Sequence, residues 1–378
     1  MKWEYKTLDQ LGTVSRGKSK HRPRNDPKLF GGKYPFIQTA DVKNADYYIT
    51  KYSDTYNESG LAQSKLWDKG TLCITIAANI ADTGVLAFPA CFPDSIMGFV
   101  PFEGVANTRF IKYCFDRLQR DCKQISQGTA QDNLSWEKLS TIKFCIPEYK
   151  EQCRIADILS AYDDLIENNQ KQIKLLEEAA QRLYKEWFVD LRFPGHENTK
   201  IVDGVPEGWR KFPLEEIAPV VTGKKDANYG DKEGNYPFFT CSQETITAPG
   251  YSFDTSAVIL AGNGDFNVKL YRGKFEAYQR TYVLAPFDHS NLFNLYFTVQ
   301  DNMEALAKGA SGSTIKFLTK GMLQKILVLT ADKKILDKFN DYEENIQQKV
   351  EALKKQVEDL TEIRNRLLPK LMSGEVEV

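Results

Sequence analysis

Residues 155–187 read IADILSAYDDLIENNQKQIKLLEEAAQRLYKEW. Within them Ile155, Leu159, Tyr162, Ile166, Asn169, Ile173, Leu176, Ala180, Leu183 and Trp187 alternate steps of four and three without a slip, which is a heptad seam on one helix. Adding 184 to each number gives Phe339, Glu343, Ile346, Val350, Leu353, Val357, Leu360, Arg364, Leu367 and Leu371, of which eight are apolar. One seam alone describes many amphipathic core helices. Two of equal length at one fixed offset predict that the helices pair with each other. A duplication with a two-fold axis across the pair makes them antiparallel and places a globular unit at each end, a dumbbell. A helix of about 33 residues spans about 50 Å at 1.5 Å per residue, so the bar of that dumbbell has a set length.

The duplication continues outward from the seam. Trp3-Glu-Tyr-Lys-Thr-Leu8-Asp-Gln-Leu11 matches Trp209-Arg-Lys-Phe-Pro-Leu214-Glu-Glu-Ile217, and Tyr34-Pro35-Phe36 matches Tyr236-Pro237-Phe238. Asn79 pairs with Asn263 and Gly128-Thr129 with Gly312-Ser313 at the offset of 184 that holds to the C-terminus. The first copy is longer within its front part. Each front carries short β-rich runs broken by Gly, Pro and Asn, such as Thr71-Leu-Cys-Ile-Thr-Ile76 and Ala257-Val-Ile-Leu260. Ser135-Trp-Glu-Lys-Leu and Thr319-Lys-Gly-Met-Leu read as short helices with hydroxyl N-caps.

Length and composition narrow the class. A chain of 378 residues with 42% apolar content, 22 Phe and 18 Tyr has material for several folded cores. No apolar run is long enough to cross a bilayer, and MKWEYKTLDQ does not resemble a signal peptide, so the expectation is a soluble cytoplasmic protein with no membrane partner. Seven cysteines without a C-x-x-C pair and three scattered histidines, His21, His196 and His289, point to reduced thiols rather than a zinc site. The formal net charge is −1, yet residues 1–147 hold 20 Lys and Arg against 15 Asp and Glu.

The catalytic motifs sought are missing. The sequence has no G-x-G-x-x-G after a strand, no phosphate-binding P-loop and no H-E-x-x-H, and the Asn-Pro-Pro-aromatic motif of amino-methyltransferases is absent. Pro93-Asp94 followed by Glu103 lacks the lysine that a nuclease core needs. A chain without catalysis of its own, metal or cofactor is expected.

Binding chemistry is better represented. Ser15–Arg24 (SRGKSKHRPR) places Arg16, Lys18, Lys20, Arg22 and Arg24 at every even position, which in an extended chain lines one edge with five cations. The run leads to Tyr34-Pro-Phe-Ile-Gln38-Thr39, and the matching place in the second copy holds Lys224, Lys225, Ser242 and Gln243. Arg and Lys satisfy phosphates or read guanine edges, and Gln reads adenine. A second cluster, Asn263-Gly-Asp-Phe-Asn267-Val-Lys269 followed by Gln279-Arg280, supplies further candidate readers. Its expected equivalent in the first copy is Asn79–Gly84 followed by Asn107-Thr108-Arg109. The bland alternatives are a solvated basic loop and an ordinary hairpin tip.

Val14–Pro27 with Tyr34–Thr39, Gly128-Thr-Ala-Gln131-Asp-Asn133-Leu134, Ile146-Pro147 with Glu151-Gln152, Val205-Pro206-Glu207-Gly208-Trp209 and Arg366-Leu-Leu-Pro-Lys370…Gly374-Glu375 together resemble the specificity subunit of type I restriction-modification systems, along nearly the whole chain. The second copy departs where Leu329-Thr-Ala-Asp-Lys-Lys334 replaces the Ile-Pro…Glu-Gln passage and where Glu343 and Arg364 interrupt its seam. The resemblance implies an α+β fold: two similar target-recognition domains of mixed, β-rich type, residues 1–147 and 201–331, joined by helical regions 148–200 and 332–378 that pair as an antiparallel coiled coil with internal pseudo-two-fold symmetry. It further implies a non-catalytic subunit that reads two different half-sites of a bipartite double-stranded DNA target. Two methyltransferase (modification) subunits would methylate adenine with S-adenosylmethionine, and restriction motor-nuclease subunits would join them. The competing readings are a stand-alone DNA-binding regulator or anti-restriction protein and a purely structural coiled-coil scaffold.

Overall fold

The computed structural model describes residues 3–76, 82–125, 136–312 and 316–378. The chain forms two compact units, Met1–Gln170 with Lys354–Val378, and Lys171–Leu353. Each unit therefore recruits one stretch of each long helix.

In the first unit a five-stranded sheet carries the core. Its strands are β1 (Gly12–Arg16), β3 (Tyr48–Ile49), β6 (Leu72–Thr75), β7 (Thr83–Leu86) and β9 (Ile96–Pro101), in the order β1-β9-β6-β7-β3. A four-stranded sheet, β4-β2-β8-β5, is built from β2 (Phe30–Phe36), β4 (Asp54–Tyr56), β5 (Leu66–Trp67) and β8 (Ala90–Cys91). All four side chains of β6 are buried, which is why it reads as a continuous apolar run rather than an alternation. The helix α1 (Thr108–Ile125) covers the larger sheet, and Phe110, Ile111 and Phe115 sink into one core with Leu8, Leu11, Leu72, Ile74 and Phe99.

The second unit makes one six-stranded sheet from β10 (Val220–Thr222), β11 (Tyr236–Phe239), β12 (Ile246–Ala248), β13 (Phe253–Ala261), β14 (Val268–Ala277) and β15 (Thr281–Leu284), ordered β10-β15-β13-β14-β11-β12. The ten-residue β14 pairs antiparallel with β13 along most of its length and parallel with β11 at its far end. In the first unit two short strands share that task, because β7 pairs with β6 and β8 lies parallel to β2 at Phe36 and Cys91. The greater length of the first copy is visible here. Its helix Thr39–Lys43 and β3 stand between β2 and β4, whereas β12 follows β11 through a loop. The two Tyr-Pro-Phe segments occupy equivalent strands, β2 and β11. The helix α3 (Leu292–Asp301) packs on β13 and β14, as α1 does in the first unit.

The quoted stretch lies in α2 (Tyr149–Tyr184), which closes in a π-helical turn Lys185–Val189. Its partner is α4 (Lys333–Ser373), whose first turn is capped by Asp332 Oδ1 accepting the N–H groups of Lys334 at 3.0 Å and Ile335 at 3.1 Å. No seam position of either helix is exposed. Pairing is antiparallel inside each unit. In the first, Asp163 meets Arg364 while the later Asn169 meets the earlier Gln356; in the second, Trp187 packs on Phe339.

Three polar seam positions solve burial differently. Asn169 donates from Nδ2 to Gln356 Oε1 at 3.2 Å. Arg364 interrupts the seam because it pairs with the buried Asp163, which also accepts from the Tyr113 hydroxyl. Burial pushes the Asp163 carboxyl up, with Arg364 and Tyr113 pulling it back. Glu343 is 0% exposed and neither carboxylate oxygen has a hydrogen-bond partner. Burial raises its pKa to about 8.

Short helices form at Trp136–Thr141 and Lys320–Gln324, though Thr319 stands at the N-cap without a side-chain cap bond and Ser135 lies outside the described residues. Cys73, Cys91, Cys114, Cys145, Cys153 and Cys241 are free. Among the described residues no helix is long and apolar enough to cross a membrane, and no cluster of three His, Cys, Asp or Glu could hold a metal.

Candidate nucleic-acid interface

The second unit gathers its nine candidate residues into one surface. Glycine makes this possible. A Cβ on Gly223 would sit 2.0 Å from the Ala277 carbonyl oxygen, so only a residue without one lets the loop after β10 reach the turn between β14 and β15. The contact is made by backbone: Gly223 N–H donates to Thr281 O at 3.0 Å and Gln279 N–H to Lys225 O at 2.9 Å. Lys224 is exposed, and the Lys225 ammonium lies 4.3 Å from the Tyr229 ring centre. Gln279 Nε2 donates to Asp226 at 3.4 Å. Next to it, Arg280 O accepts the Gly262 N–H at 2.9 Å, which brings in the loop that carries Asn263 and Asn267.

That loop is tied to the segment after β11. Gln243 Nε2 donates to Asp265 at 2.8 Å, Asn267 Nδ2 to Cys241 O at 3.3 Å, and Lys269 Nζ to Ser242 O at 2.8 Å. Asn263 bridges to Phe317. Burial holds the Lys269 ammonium below its ordinary pKa, with Cys241 opposing, so this lysine is a fixed strut within the surface as much as a mobile charge.

The first unit repeats the backbone arrangement. A Cβ on Gly17 would lie 2.3 Å from the carbonyl oxygens of Phe92 and Pro93. Gly17 N–H donates to Ile96 O at 2.8 Å and Lys18 N–H to Phe92 O at 2.9 Å. Gln38 and Thr39 follow directly after Ile37, whose N–H donates to Cys91 O at 2.8 Å, so they join the same surface. Gln38 Nε2 donates to Asp54 at 2.6 Å.

The row of five cations on one edge does not form. Alternation holds from Arg16 to Lys20, with Arg16, Lys18 and Lys20 exposed and Gly17 and Ser19 buried, and then the chain turns. Arg22 folds back to donate to Ser19 O at 2.7 Å and His21 O at 2.8 Å. Arg24 pairs with Asp94. Beyond the strand, which ends at Arg16, backbone acceptors and a carboxylate outcompete extended geometry.

Arg109 also stands elsewhere. It opens α1, N-capped by Asn107, whose Oδ1 accepts the Arg109 N–H at 2.9 Å, and its guanidinium donates to Ser160 on α2 at 2.8 Å. There it lines a cavity of about 620 Å³ with Tyr48, Lys69, Asp164 and Glu167. The counterpart of the Gln279-Arg280 turn is therefore Phe92–Ser95 rather than Asn107–Arg109, and Asn107 corresponds instead to Asn291, the N-cap residue of α3. Of the earlier segment Asn79–Gly84, residues 79–81 lie outside the described residues, as do Gly128–Leu134. Sequence reasoning did not anticipate that the carboxylates Asp54, Asp94, Asp226 and Asp265 each bond to a candidate reader. Nothing in their sequence spacing marks these pairings, since each carboxylate comes from a different loop or strand than its partner.

Comparison with known proteins agrees with this architecture. The family described as the type I restriction modification DNA specificity domain matches residues 1–178 and 206–359. The chain is similar to the type I restriction enzyme MjaIX specificity subunit of Methanocaldococcus jannaschii, 27% identical over 416 residues covering 100% of this chain and 94% of that protein. It is also similar to the type I restriction enzyme EcoDI specificity subunit of Escherichia coli, 37% identical over 176 residues, 46% of this chain and 39% of the other. A crystal structure of the type I restriction-modification S subunit from M. genitalium shares the fold, with a TM-score of 0.63 at 19% identity over 98% of this chain and 96% of that one. With two family matches lying on the two halves of an internally repeated fold, the chain belongs to the specificity subunits of type I restriction-modification systems, the non-catalytic component of those complexes.

Proposed function

We propose that the chain reads a bipartite double-stranded DNA target, one half-site with each unit, and scaffolds two methyltransferase subunits that modify adenine, with restriction subunits joining to cleave unmodified DNA in the cytoplasm. The observation that carries this reading is the pair of equivalent loop surfaces that differ in chemistry. The same Gly-gated backbone junction recurs in both units, while the first surrounds it with Arg16, Lys18, Lys20 and Gln38 and the second adds the amides Gln243, Asn263, Asn267 and Gln279 to its own cations. A protein reading one palindromic sequence would have equivalent side chains on both. The methyl donor S-adenosylmethionine belongs with the modification subunits.

Within this reading the exposed Arg16, Lys18 and Lys20 hold phosphates, and Gln38, Gln243, Gln279 and Arg280 face base edges, because amides and a guanidinium offer the donor and acceptor pairs that bases display in the major groove. Host methylome sequencing tests the proposal. Deleting the chain should abolish adenine methylation at one two-part motif with a non-specific spacer, and restoring it should return that motif. An unchanged methylome refutes it. A pull-down separates it from a stand-alone regulator, which would retain DNA and no methyltransferase.

A further inference from the structure

The two units use one backbone junction with two different side-chain pairs. Gly17 and Gly223 admit equivalent turns, and Ile96 and Thr281 accept the equivalent N–H bonds, so at this turn the offset is 281 − 96 = 185 rather than 184 and Asp94 occupies the place of Gln279. In the first unit the turn supplies a carboxylate and the facing loop a cation: Arg24 Nη2 donates to Asp94 Oδ1 at 2.7 Å and Oδ2 at 2.9 Å. In the second the polarity is exchanged, and the turn's Gln279 donates to Asp226 of the loop. An ion pair as exposed as Arg24–Asp94, at 49% and 39%, adds next to nothing to stability. Its geometry is the informative part. One N–H of Nη2 is shared between the two carboxylate oxygens, and the other, with an N–H of a neighbouring guanidinium nitrogen, keeps a fixed fork.

We propose that Arg24 reads a guanine of the first half-site and that Asp94 is its positioning residue, holding the guanidinium plane so that its free edge meets guanine O6 and N7. This rests on the DNA-reading function proposed above. A free arginine samples many rotamers and contacts phosphates and bases alike. A carboxylate that occupies one N–H removes that freedom and fixes the direction of the remaining two-pronged edge, which turns a general cation into a base-specific one.

The test uses the chain assembled with its methyltransferase subunits and a DNA pool randomised across both half-sites, read by sequencing the methylated fraction. Arg24→Ala should reduce the preference for guanine at one position of the first half-site by roughly tenfold to a hundredfold, and leave the second half-site's preferences as they were. Asp94→Ala should relax the same position. Asp94→Asn, which keeps a neutral acceptor for Arg24, should relax it less. The inference is overturned if Arg24→Ala leaves every base preference unchanged, or if Asp94→Ala changes affinity for all sequences equally. A wild-type complex that selects no bipartite motif would instead refute the underlying DNA-reading function.

Discussion

Replacing Glu343 with leucine should stabilise the second unit, and more at pH 8 than at pH 5. The position corresponds to Leu159 of the first unit, which is itself fully buried, so a leucine has a precedent at the equivalent seam site. Glu343 is enclosed with two orphan oxygens, and its pKa is raised from 4.5 to about 8. The facing Tyr296 hydroxyl is likewise pushed up, to about 12, by burial foremost and by Glu177 and Glu343. The sign follows from proton counts. Below about pH 4.5 the carboxyl is protonated in both states and carries no charge penalty. Between there and about pH 8 the folded unit keeps the proton that the unfolded chain releases, so unfolding free energy falls by about 1.4 kcal/mol per pH unit. Across the whole window the loss is on the order of 5 kcal/mol, and above it the folded carboxylate is ionised and the full penalty applies. Glu343→Leu removes this slope and adds buried apolar surface. Urea unfolding at pH 5, 7 and 8.5, followed by far-UV circular dichroism and tryptophan fluorescence, measures it. Glu343→Gln should flatten the slope while gaining less. A Leu variant that is less stable at every pH, or that retains the wild-type slope, refutes the argument.

Arg364→Ala leaves Asp163 buried without its cation and should lower stability by about 3 kcal/mol in urea unfolding, whereas the double change Arg364→Leu with Asp163→Leu should cost much less. Asn169→Leu exchanges a single neutral hydrogen bond with the exposed Gln356 for apolar burial and should raise the melting temperature by a few degrees, as read by calorimetry. In the assembled methyltransferase, Lys20→Ala should weaken binding to specific and scrambled DNA together and flatten the salt dependence by about one counterion. Gln279→Ala or Arg280→Ala should instead cost about 1–3 kcal/mol on the cognate second half-site only. Equal loss on both DNAs would make those two positioning residues.

The helices, the duplication and the equivalence of the two units follow from residue order alone. A heptad seam and a constant offset are one-dimensional signals: they depend on which residues recur, and the same periodicity that is countable in the chain is what buries Ile155, Leu159, Phe339 and Val350. The candidate loops of the second unit were legible for a similar reason, since amides and cations packed between glycines have few uses in a core. Tertiary structure alone decided three things. It moved Arg109 onto a long helix, because Asn107 caps α1 and so fixes where the next residues point. It ended the basic row at Lys20, because acceptors from residues 19, 21 and 94 were within reach of Arg22 and Arg24. And it separated Arg364, which finds a buried carboxylate 201 positions away, from Glu343, which finds none. In the sequence these two polar residues interrupt the same seam in the same way. Pairing of buried charges is a matter of which groups converge in space, and no local pattern encodes the distance between residues that the fold brings together.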